Sequence, residues 1–422
     1  MSEIFFDLSE LFLFSGVKFK YYGIVRTVME VAYELNRLDP EVRFVVYSPY
    51  HRRFFEVFPR VGDASPTGVL DPNLPASATP VRLRQSVFDR NVFKSLFYFI
   101  WGKIVDFRNR RRWAQIPDGA VREVDLNGKV LVSLGRPKLM SDYLTAMAEA
   151  GINIRFVPLL HDMIPLHDFS GRTDFKPPRN FVHDNEVAIR AAALILTNSH
   201  FSRREVLHFS DSGLLPPVPE VVAVPLCHEM RLTDEPLVTL PPEGRYLLGV
   251  GLFNGRKNLE CVVEAMLELQ RRGAEVPDLV LAGGRRKKVE TYLSSERFSS
   301  IAKHVRFVID PNQTELRKLY EKAFALVLPS RMEGWGLPVG EALWCGTPAL
   351  AADIPALREV GGDLALYFDP DKPADLANLL VGLQADPTSY GELRNRISVA
   401  RSGLRTWNDV AGDVLAAVRK LP

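Results

Sequence analysis

Glu333 and Glu341 stand eight residues apart in a glycine-rich stretch that follows an apolar run. A carboxylate accepts hydrogen bonds from hydroxyl groups and repels a bound phosphate. We therefore expect Glu341 to bind a ribose and Glu333 to bind a second sugar. On spacing alone, the alternative is a solvated turn residue and a helix-surface residue.

The residues between these carboxylates are suited to bind an anion through the backbone. If a helix begins near Pro338, the N–H groups just before it and the positive end of the helix point toward one place. The candidate donors are Gly334, Gly336 and Leu337. The stretch therefore predicts a site for phosphate or sugar oxygens at the start of this helix.

Two adjacent cations, Arg256 and Lys257, follow a second apolar run and a glycine-rich loop that contains Gly251. In an open parallel sheet, ligands bind at the carboxyl ends of the strands. Cations at that edge could balance a diphosphate and stabilise its departure. The alternative for an Arg-Lys pair before a helix is a solvated loop.

His161 and Asp162 follow a third apolar run, 154–159. At the end of a strand, the imidazole could hydrogen-bond a sugar hydroxyl or the atoms of a reaction centre. Asp162 could orient the ring. A purely structural histidine is the alternative.

Residues 82–112 form a basic, aromatic segment. Nine Lys and Arg side chains against Asp89 and Asp106 leave a charge of +7, with aromatic residues between them. The pattern predicts a helix that lies on anionic lipid headgroups or, alternatively, one that packs on the first domain. A nucleic-acid site is disfavoured because no recognised fold element accompanies the charges. The candidate membrane-surface residues are Trp101, Arg108, Arg110, Arg111 and Arg112.

The composition indicates an ordinary globular protein that supplies these side chains with a packed framework. The 422 residues include 53 Lys and Arg against 51 Asp and Glu, 46% hydrophobic residues and a net charge of +2. These values exclude a disordered, collagenous or coiled-coil chain. The length suits two domains, and the net charge gives no reason to expect a nucleic-acid partner.

Short apolar runs alternate with helical patterns through both halves of the chain, which predicts an α/β fold with two parallel sheets. The connector between them is a proline-rich segment that we place near residues 228–244. In the second half we predict a helix over Leu259–Arg272, capped by Asn258 and closed by Gly273. The predicted strands of the first half are Ile4–Phe6, Val42–Tyr47, Val130–Leu134, Ile154–Leu159, Leu194–Leu196 and Val221–Val224.

The spacing of Cys227, Cys261 and Cys345 predicts neither a disulfide framework nor a cysteine metal site. The first residues lack a basic region, and no stretch has the roughly 18 apolar residues of a membrane span. We therefore expect a cytoplasmic protein. Asp369-Pro-Asp371 is interpreted as a turn before a helix, and no metal site is predicted.

The ordered motifs of the C-terminal half resemble glycosyltransferase family 4, the retaining sugar-nucleotide-dependent enzymes of the GT-B fold. The N-terminal half is similar to a bacterial branch of that family through Gly23-Ile-Val-Arg26, although Tyr22 replaces a small hydroxyl residue. Gly23 and Arg26 are therefore acceptor or loop candidates. The motifs of the second half are Gly249–Asn258, Leu279–Gly284, Glu315–Ala323, the E-x7-E stretch Glu333–Glu341, Cys345–Ala349 and Leu357–Asp363.

The resemblance implies two Rossmann-like, doubly wound domains that face each other across a cleft. Residues 1–228 would bind the acceptor, residues 229–404 the nucleotide-sugar donor, and residues 405–422 would form a helix that returns to the first domain. The site roles it implies agree with those given above: Arg256 and Lys257 for the diphosphate, Glu341 for the ribose, Glu333 with the Gly334–Leu337 backbone for the donor sugar, and His161 with Asp162 at the cleft.

The implied activity is transfer of a hexosyl unit, with retention, from a nucleoside diphosphate sugar to a saccharide or lipid-linked glycan. We expect GDP-mannose or a related GDP-sugar, because Arg256-Lys257-Asn258 resembles the loop of bacterial mannosyltransferases. Bacterial polysaccharide or O-antigen assembly at the inner face of the cytoplasmic membrane would follow, with no cofactor or metal required. The alternatives are a UDP-sugar donor, a sugar-nucleotide epimerase of the same fold, or a non-catalytic nucleotide- or glycan-binding scaffold.

Overall fold

The computed structural model describes residues 3–14, 23–65, 68–82, 92–169, 175–232, 236–237, 241–242, 244–251, 255–284 and 287–421. The chain divides into two compact units. Unit 1 is Met1–Pro225 together with Trp407–Pro422, and unit 2 is Leu226–Thr406. The sequence analysis placed the first division after residue 228 and assigned residues 405–422 to a returning helix.

Unit 1 is built around an eight-stranded sheet, with helices along the chain between its strands. Its strands are β1 Ile4–Asp7, β2 Arg43–Ser48, β3 Arg53–Val57, β6 Val121–Glu123, β7 Val130–Ser133, β8 Arg155–Leu160, β9 Ile195–Thr197 and β10 Val221–Ala223, with a separate pair β4 Arg60–Val61 and β5 Leu70–Asp71. Its helices are α1 Ser9–Phe14, α2 Gly23–Leu38, α3 Val92–Trp113, α4 Pro137–Glu149, α5 Arg179–Ala191, α6 His200–Asp211 and α15 Trp407–Val418.

The strand order in unit 1 is β10-β9-β8-β7-β1-β2-β3-β6. The pairs from β10 to β2 are parallel, whereas β3 pairs with β2 and β6 in antiparallel fashion. Phe5 and Phe6 in β1 are fully buried, as expected for a central strand covered on two faces. The six predicted strands are confirmed. The antiparallel edge was missed because no helix separates β3 from β2, so β3 lies outside the alternation of strands and helices.

Unit 2 contains a six-stranded, fully parallel sheet. Its strands are β11 Tyr246–Val250, β12 Asp278–Gly283, β13 Val305–Ile309, β14 Ala325–Leu328, β15 Ala349–Ala352 and β16 Leu366–Phe368, in the order β13-β12-β11-β14-β15-β16. Its helices are α7 Leu259–Arg271, α8 Lys287–Leu293, α9 Ser299–Ala302, α10 Gln313–Lys322, α11 Leu337–Trp344, α12 Pro355–Gly361, α13 Pro373–Ala385 and α14 Pro387–Ala400. The predicted α/β fold with two sheets is therefore confirmed, and the sheet of unit 1 differs from the prediction in its antiparallel edge.

The cores of the two units are apolar layers between sheet and helices. In unit 2, Val263 and Leu269 of α7 are buried in the same cluster as Leu279 of β12 and Leu380 of α13. In unit 1, α15 packs on α2 and contributes the fully buried Trp407. The described part of the chain contains no helix long and apolar enough to cross a bilayer.

Candidate functional site

The order of the strands in unit 2 identifies where a ligand would bind. Strand β11 lies between β12 and β14, so the chain direction across the sheet reverses at the β11/β14 pair. At such a point the loops that follow the two strands leave a crevice at their carboxyl ends. Arg256 and Lys257 follow β11, and Glu333 follows β14. We call these three residues and their backbone the donor-edge cluster.

The three side chains of the donor-edge cluster meet in the structure. The Lys257 ammonium donates a hydrogen bond to Oε1 of Glu333. Nη1 of Arg256 lies 3.3 Å from Oε2 of Glu333 and donates a hydrogen bond to the carbonyl of Met332 at 2.8 Å. The two residue groups that the sequence analysis treated separately therefore form one ion cluster.

Glu333 is buried, and burial raises the pKa of a carboxyl. The charges of Lys257 and Arg256 oppose that effect, so that the pKa of Glu333 lies below its ordinary value of 4.5. Glu333 is therefore ionised at neutral pH and can only accept hydrogen bonds. The side chains of Lys257 and Arg256 remain 17% and 25% exposed, which leaves cationic N–H groups within reach of an anion.

Helix α11 begins at Leu337, with Pro338 in its first turn and Gly336 as its N-cap residue. Gly336 has φ of +105°, and a Cβ there would lie 2.3 Å from Cδ2 of Leu357. A larger residue would therefore have a strained backbone at this position and would push the Leu357 side chain aside. Gly334, Gly336 and Leu337 lie at this helix start, as the sequence predicts, and their proposed ligand contacts stay predictions.

Glu341 lies inside α11 and is buried, which rules out the alternative of an exposed helix-surface residue. Its Oε2 accepts a hydrogen bond of 2.6 Å from the hydroxyl of Tyr320. Tyr320 is a fully buried residue of α10, and its own carbonyl accepts a hydrogen bond from Oγ1 of Thr347 at 2.6 Å. Tyr320 was not predicted as a positioning residue, although it lies within the motif Glu315–Ala323.

Two glycines bring the ends of β11 and β12 into close contact. Gly251 has φ of +120° and Gly283 has φ of +148°, a region that L-residues rarely adopt. A Cβ on Gly283 would lie 2.3 Å from the carbonyl oxygen of Gly251. Glycine is therefore needed here to hold the loop after β11 close to the sheet.

The predicted N-cap position of the helix after this loop is confirmed, but the Asn258 side chain does not form the expected cap. Asn258 is the N-cap residue of α7 with φ of +51°, but its side chain makes no capping hydrogen bond. Its amide Nδ2 instead donates to the carbonyl of Pro370 at 2.7 Å. Asn258 therefore ties the start of α7 to the segment before α13. Gly273, with φ of +64°, follows the end of α7 as predicted.

His161 lies in unit 1, directly after β8, and is buried. Its Nε2 is 2.8 Å from the carbonyl oxygen of Leu134. Burial lowers the pKa of His161 to about 4, against the opposing effect of that hydrogen bond, so the ring is neutral at pH 7. Because a carbonyl only accepts, the proton is assigned to Nε2, and Nδ1 is the acceptor of the ring.

The prediction that Asp162 orients this ring is wrong. Oδ1 of Asp162 accepts a hydrogen bond from the backbone N–H of Ile164 at 3.1 Å and so shapes the turn after β8. The ring of His161 is oriented by the Leu134 carbonyl, a backbone group that follows β7. Backbone partners of this kind leave no signal in side-chain motifs.

Gly23 and Arg26, the other candidates in unit 1, occupy the first turn of α2. Gly23 has φ of +54°, and its carbonyl accepts a hydrogen bond from Oγ1 of Thr27 at 3.2 Å. Arg26 is buried, with its guanidinium carbon 5.6 Å from the ring centre of Trp407. Tyr22 lies outside the described residues. The packing against Trp407 gives Arg26 a structural contact within unit 1.

Unit 1 also contains an ion pair that the sequence analysis did not single out. Glu10, directly after β1, accepts a hydrogen bond of 2.7 Å from Nε of Arg136, which follows β7. Asp7 accepts from the backbone N–H of Ser9 and from Oγ of Ser133, each at 2.8 Å. Burial raises the pKa of Asp7 and of Glu10 above their ordinary values. Strands β1 and β7 are parallel neighbours, so the residues that follow their carboxyl ends are expected to lie close together. This rule would have predicted the pair.

The membrane-surface candidates lie on α3 and differ in their contacts. Arg110 and Arg111 are exposed, and the guanidinium of Arg108 lies 5.9 Å from the ring centre of the half-buried Trp101. Arg112 instead donates a hydrogen bond of 2.5 Å to the carbonyl of Thr79. The assignment of Arg112 to a lipid contact is therefore corrected, because it attaches α3 to unit 1.

Residues 234–400 match the protein family described as "Glycosyl transferases group 1". O-antigen chain mannosyltransferase B of Escherichia coli is 28% identical over 243 residues, which cover 56% of this chain and 62% of that protein. D-inositol 3-phosphate glycosyltransferase of Jonesia denitrificans is 27% identical over 288 residues, covering 63% and 66%. The chain thus spans less than two thirds of the length of these relatives.

The whole chain aligns with the structure of sucrose-phosphate synthase from Thermosynechococcus elongatus. The TM-score is 0.64 at 16% identity, and the alignment covers 100% of this chain and 99% of that structure. This similarity shows the fold, which is the α/β GT-B fold with two Rossmann-like units. Together with the matching family and the mannosyltransferase relative, it supports a glycosyltransferase of the GT-B class.

Proposed function

We propose that the protein transfers a hexosyl unit from a nucleoside diphosphate sugar to a saccharide or lipid-linked glycan, with retention of configuration. The observation that carries the proposal is the donor-edge cluster, in which a buried, ionised Glu333 is held between Lys257 and Arg256. The cluster lies at the strand-order reversal of unit 2 and within the residues that match the glycosyl transferase family.

The net charge of the cluster suits the diphosphate of a donor. Two cations and one carboxylate leave a net charge of +1, which suits a diphosphate that gains negative charge as it departs. Lys257 uses one N–H on Glu333 and has two more for phosphate oxygens. Because these cations supply the positive charge, we propose that transfer needs no metal ion.

The carboxylates would select the sugars of the donor. Ionised Glu333 accepts hydrogen bonds from hydroxyl groups of the transferred sugar, and Glu341, oriented by Tyr320, accepts from the ribose. His161 would accept a hydrogen bond from a sugar hydroxyl through Nδ1, since Nε2 is engaged with Leu134. No side chain is assigned as a nucleophile in this proposal, so the departing phosphate would accept the proton of the acceptor hydroxyl.

We propose a GDP-sugar, GDP-mannose in particular, as the donor, and bacterial polysaccharide or O-antigen assembly as the setting. The support is the loop Arg256-Lys257-Asn258 and the similarity to the O-antigen chain mannosyltransferase of Escherichia coli. A UDP-sugar is the competing donor for the same cluster, because the diphosphate contacts do not depend on the base.

A thermal-shift screen with GDP, UDP, TDP, ADP and their common sugars tests the proposal. A ligand that binds the native state at about 100 times its Kd stabilises it by about 2.7 kcal/mol, which we expect as a shift of about 5–10 °C with GDP-mannose. The shift should persist in EDTA. The matched control is Lys303→Ala, an exposed lysine of unit 2, beside Lys257→Ala, which should lose the shift.

The other outcomes separate the alternatives. A selective shift with UDP-sugars would replace the GDP donor and keep the glycosyltransferase. Conversion of the sugar nucleotide to its epimer without an acceptor would identify an epimerase and reject transfer. Tight binding without turnover, across a panel of lipid-linked and free saccharides, would support a scaffold. No shift with any nucleotide would reject the proposed donor site.

A further inference from the structure

One face of α3 combines apolar and cationic side chains, all of them exposed. At 100° per residue, its eight members occupy about half of the helix circumference. Phe99 and Phe107 are the most exposed of the apolar ones, at 66% and 60%. We call this set the basic-aromatic face. Its members are Phe99, Ile100, Lys103, Ile104, Phe107, Arg108, Arg110 and Arg111.

The opposite side of α3 is attached to unit 1. Val105 and Asn109 are buried, and the Asn109 side chain exchanges hydrogen bonds with the backbone of Val81 at 2.7 and 2.9 Å. The ring of Trp113 lies 4.7 Å from that of Phe55. The C-terminal half of the helix is therefore held in place, and the basic-aromatic face is presented on a fixed support.

Among the residues that the structure describes, no carboxylate forms an ion pair with a cation of this face, and the side-chain contacts of these cations are aromatic rings. Lys103 lies 5.8 Å from the ring centre of Phe99, and Arg111 lies 5.5 Å from that of Phe107. Four cations and the exposed Asp106 leave a charge of +3 on the exposed part of the helix. The face is therefore able to attract an anionic partner.

We propose that the basic-aromatic face docks on the surface of an anionic bilayer. Phenylalanine and isoleucine insert into the boundary between headgroups and acyl chains, while the long Lys and Arg side chains reach the phosphates. Arginine and aromatic residues are also enriched in protein interfaces, so a protein partner is the competing occupant that the test below separates from a bilayer. The proposal does not depend on the proposed sugar transfer.

Sedimentation with vesicles tests the proposal using the full chain and no substrate. The vesicles contain phosphatidylcholine alone or with roughly one third phosphatidylglycerol, which gives their surface a negative potential. We expect binding to the anionic vesicles only. This binding should weaken in about 0.5 M NaCl, because the Debye length there is roughly 4 Å and the charges are screened. Lys103→Gln with Arg110→Gln should weaken binding about 25-fold, at about fivefold per cation. Phe99→Ser with Phe107→Ser should weaken it at least about tenfold.

Matched double variants in unit 2 control for general charge and hydrophobicity. Lys303→Gln with Arg396→Gln removes two exposed cations, and Leu232→Ser with Val399→Ser removes two exposed apolar side chains. These controls should bind like the wild type, and all variants should keep the wild-type circular dichroism.

Three outcomes would overturn the proposal. One is the absence of binding to anionic vesicles at low salt. Another is equal weakening by the α3 variants and the unit 2 controls. The third is a change of oligomeric state in the α3 variants, measured by light scattering, with vesicle binding unchanged, which would identify the face as a protein interface.

Discussion

The two units have the same kind of ligand edge but balance its charges in opposite ways. In unit 2, Glu333 follows β14 and faces two cations from the loop after β11, and its pKa is lowered. In unit 1, Glu10 follows β1 and faces one cation, Arg136, with Asp7 close by, and its pKa is raised. Each pair lies where the strand order reverses.

The difference follows from the charges that surround each buried carboxyl. If every group were ionised, the edge of unit 2 would carry +1 and that of unit 1, with Asp7, Glu10 and Arg136, would carry −1. Burial raises the pKa of a carboxyl, and in unit 2 the charges of Lys257 and Arg256 and the hydrogen bond from Lys257 outweigh that effect. An edge of net +1 suits a diphosphate, whereas a buried edge with an excess of carboxyls suits hydroxyl groups, which donate hydrogen bonds to them. The contrast supports a donor in unit 2.

The largest effect is expected from Lys257→Ala. Removing a preorganised charge that faces the departing group should lower turnover about 10²–10³-fold, with wild-type circular dichroism. The assay is transfer from the donor identified by the thermal-shift screen, and Lys303→Ala is the matched control. Turnover of Lys257→Ala within about threefold of the wild type corresponds to about 0.7 kcal/mol. Such a result would show that Lys257 has no role in catalysis.

The donor-edge cluster could be predicted from the sequence because its members follow strands of one parallel sheet and lie in a glycine-rich pattern. Lys257 and Glu333 are 76 residues apart, yet the rule that ligands bind at carboxyl ends of strands brings them together. Glu10 and Arg136 obey the same rule, 126 residues apart, but no glycine-rich loop marked them. Tyr320 and the Leu134 carbonyl were missed because their contacts depend on packing between elements.

A second experiment tests whether the stability of the protein depends on the ion pair between Arg136 and Glu10. Arg136→Met leaves Glu10 buried without a cation, which should lower the free energy of unfolding by about 1–3 kcal/mol. The double variant with Glu10→Gln should recover most of this loss, because a neutral amide remains. Urea denaturation measures these differences.

The matched control for Arg136→Met is Arg52→Met, which breaks the exposed ion pair with Glu149. An exposed pair contributes about 0–1 kcal/mol, so this variant should stay close to the wild type. Equal losses in Arg136→Met and Arg52→Met would mean that the Glu10 pair is no more important than a surface contact. The contrast drawn between the two edges would then be wrong for unit 1.

The smallest effect, and the most direct test of the contrast, is the pH dependence of stability. The pKa of Glu333 is lowered in the folded state, so its stabilising contribution is present above its ordinary value of 4.5 and is lost as the pH falls through the folded pKa. The pKa of Glu10 is raised, so its contribution is present below 4.5 and is lost as the pH rises through the folded pKa. The two carboxyls therefore predict opposite slopes.

Glu333→Gln and Glu10→Gln isolate these slopes when each is compared with the wild type by urea denaturation across acidic to neutral pH. The advantage of the wild type over Glu333→Gln should shrink as the solution becomes acidic. Its advantage over Glu10→Gln should shrink in the other direction, as the pH rises above 4.5. Slopes of the same sign would show that the number of cations does not decide the ionisation of the two edges, because burial or backbone hydrogen bonds would then dominate in each unit.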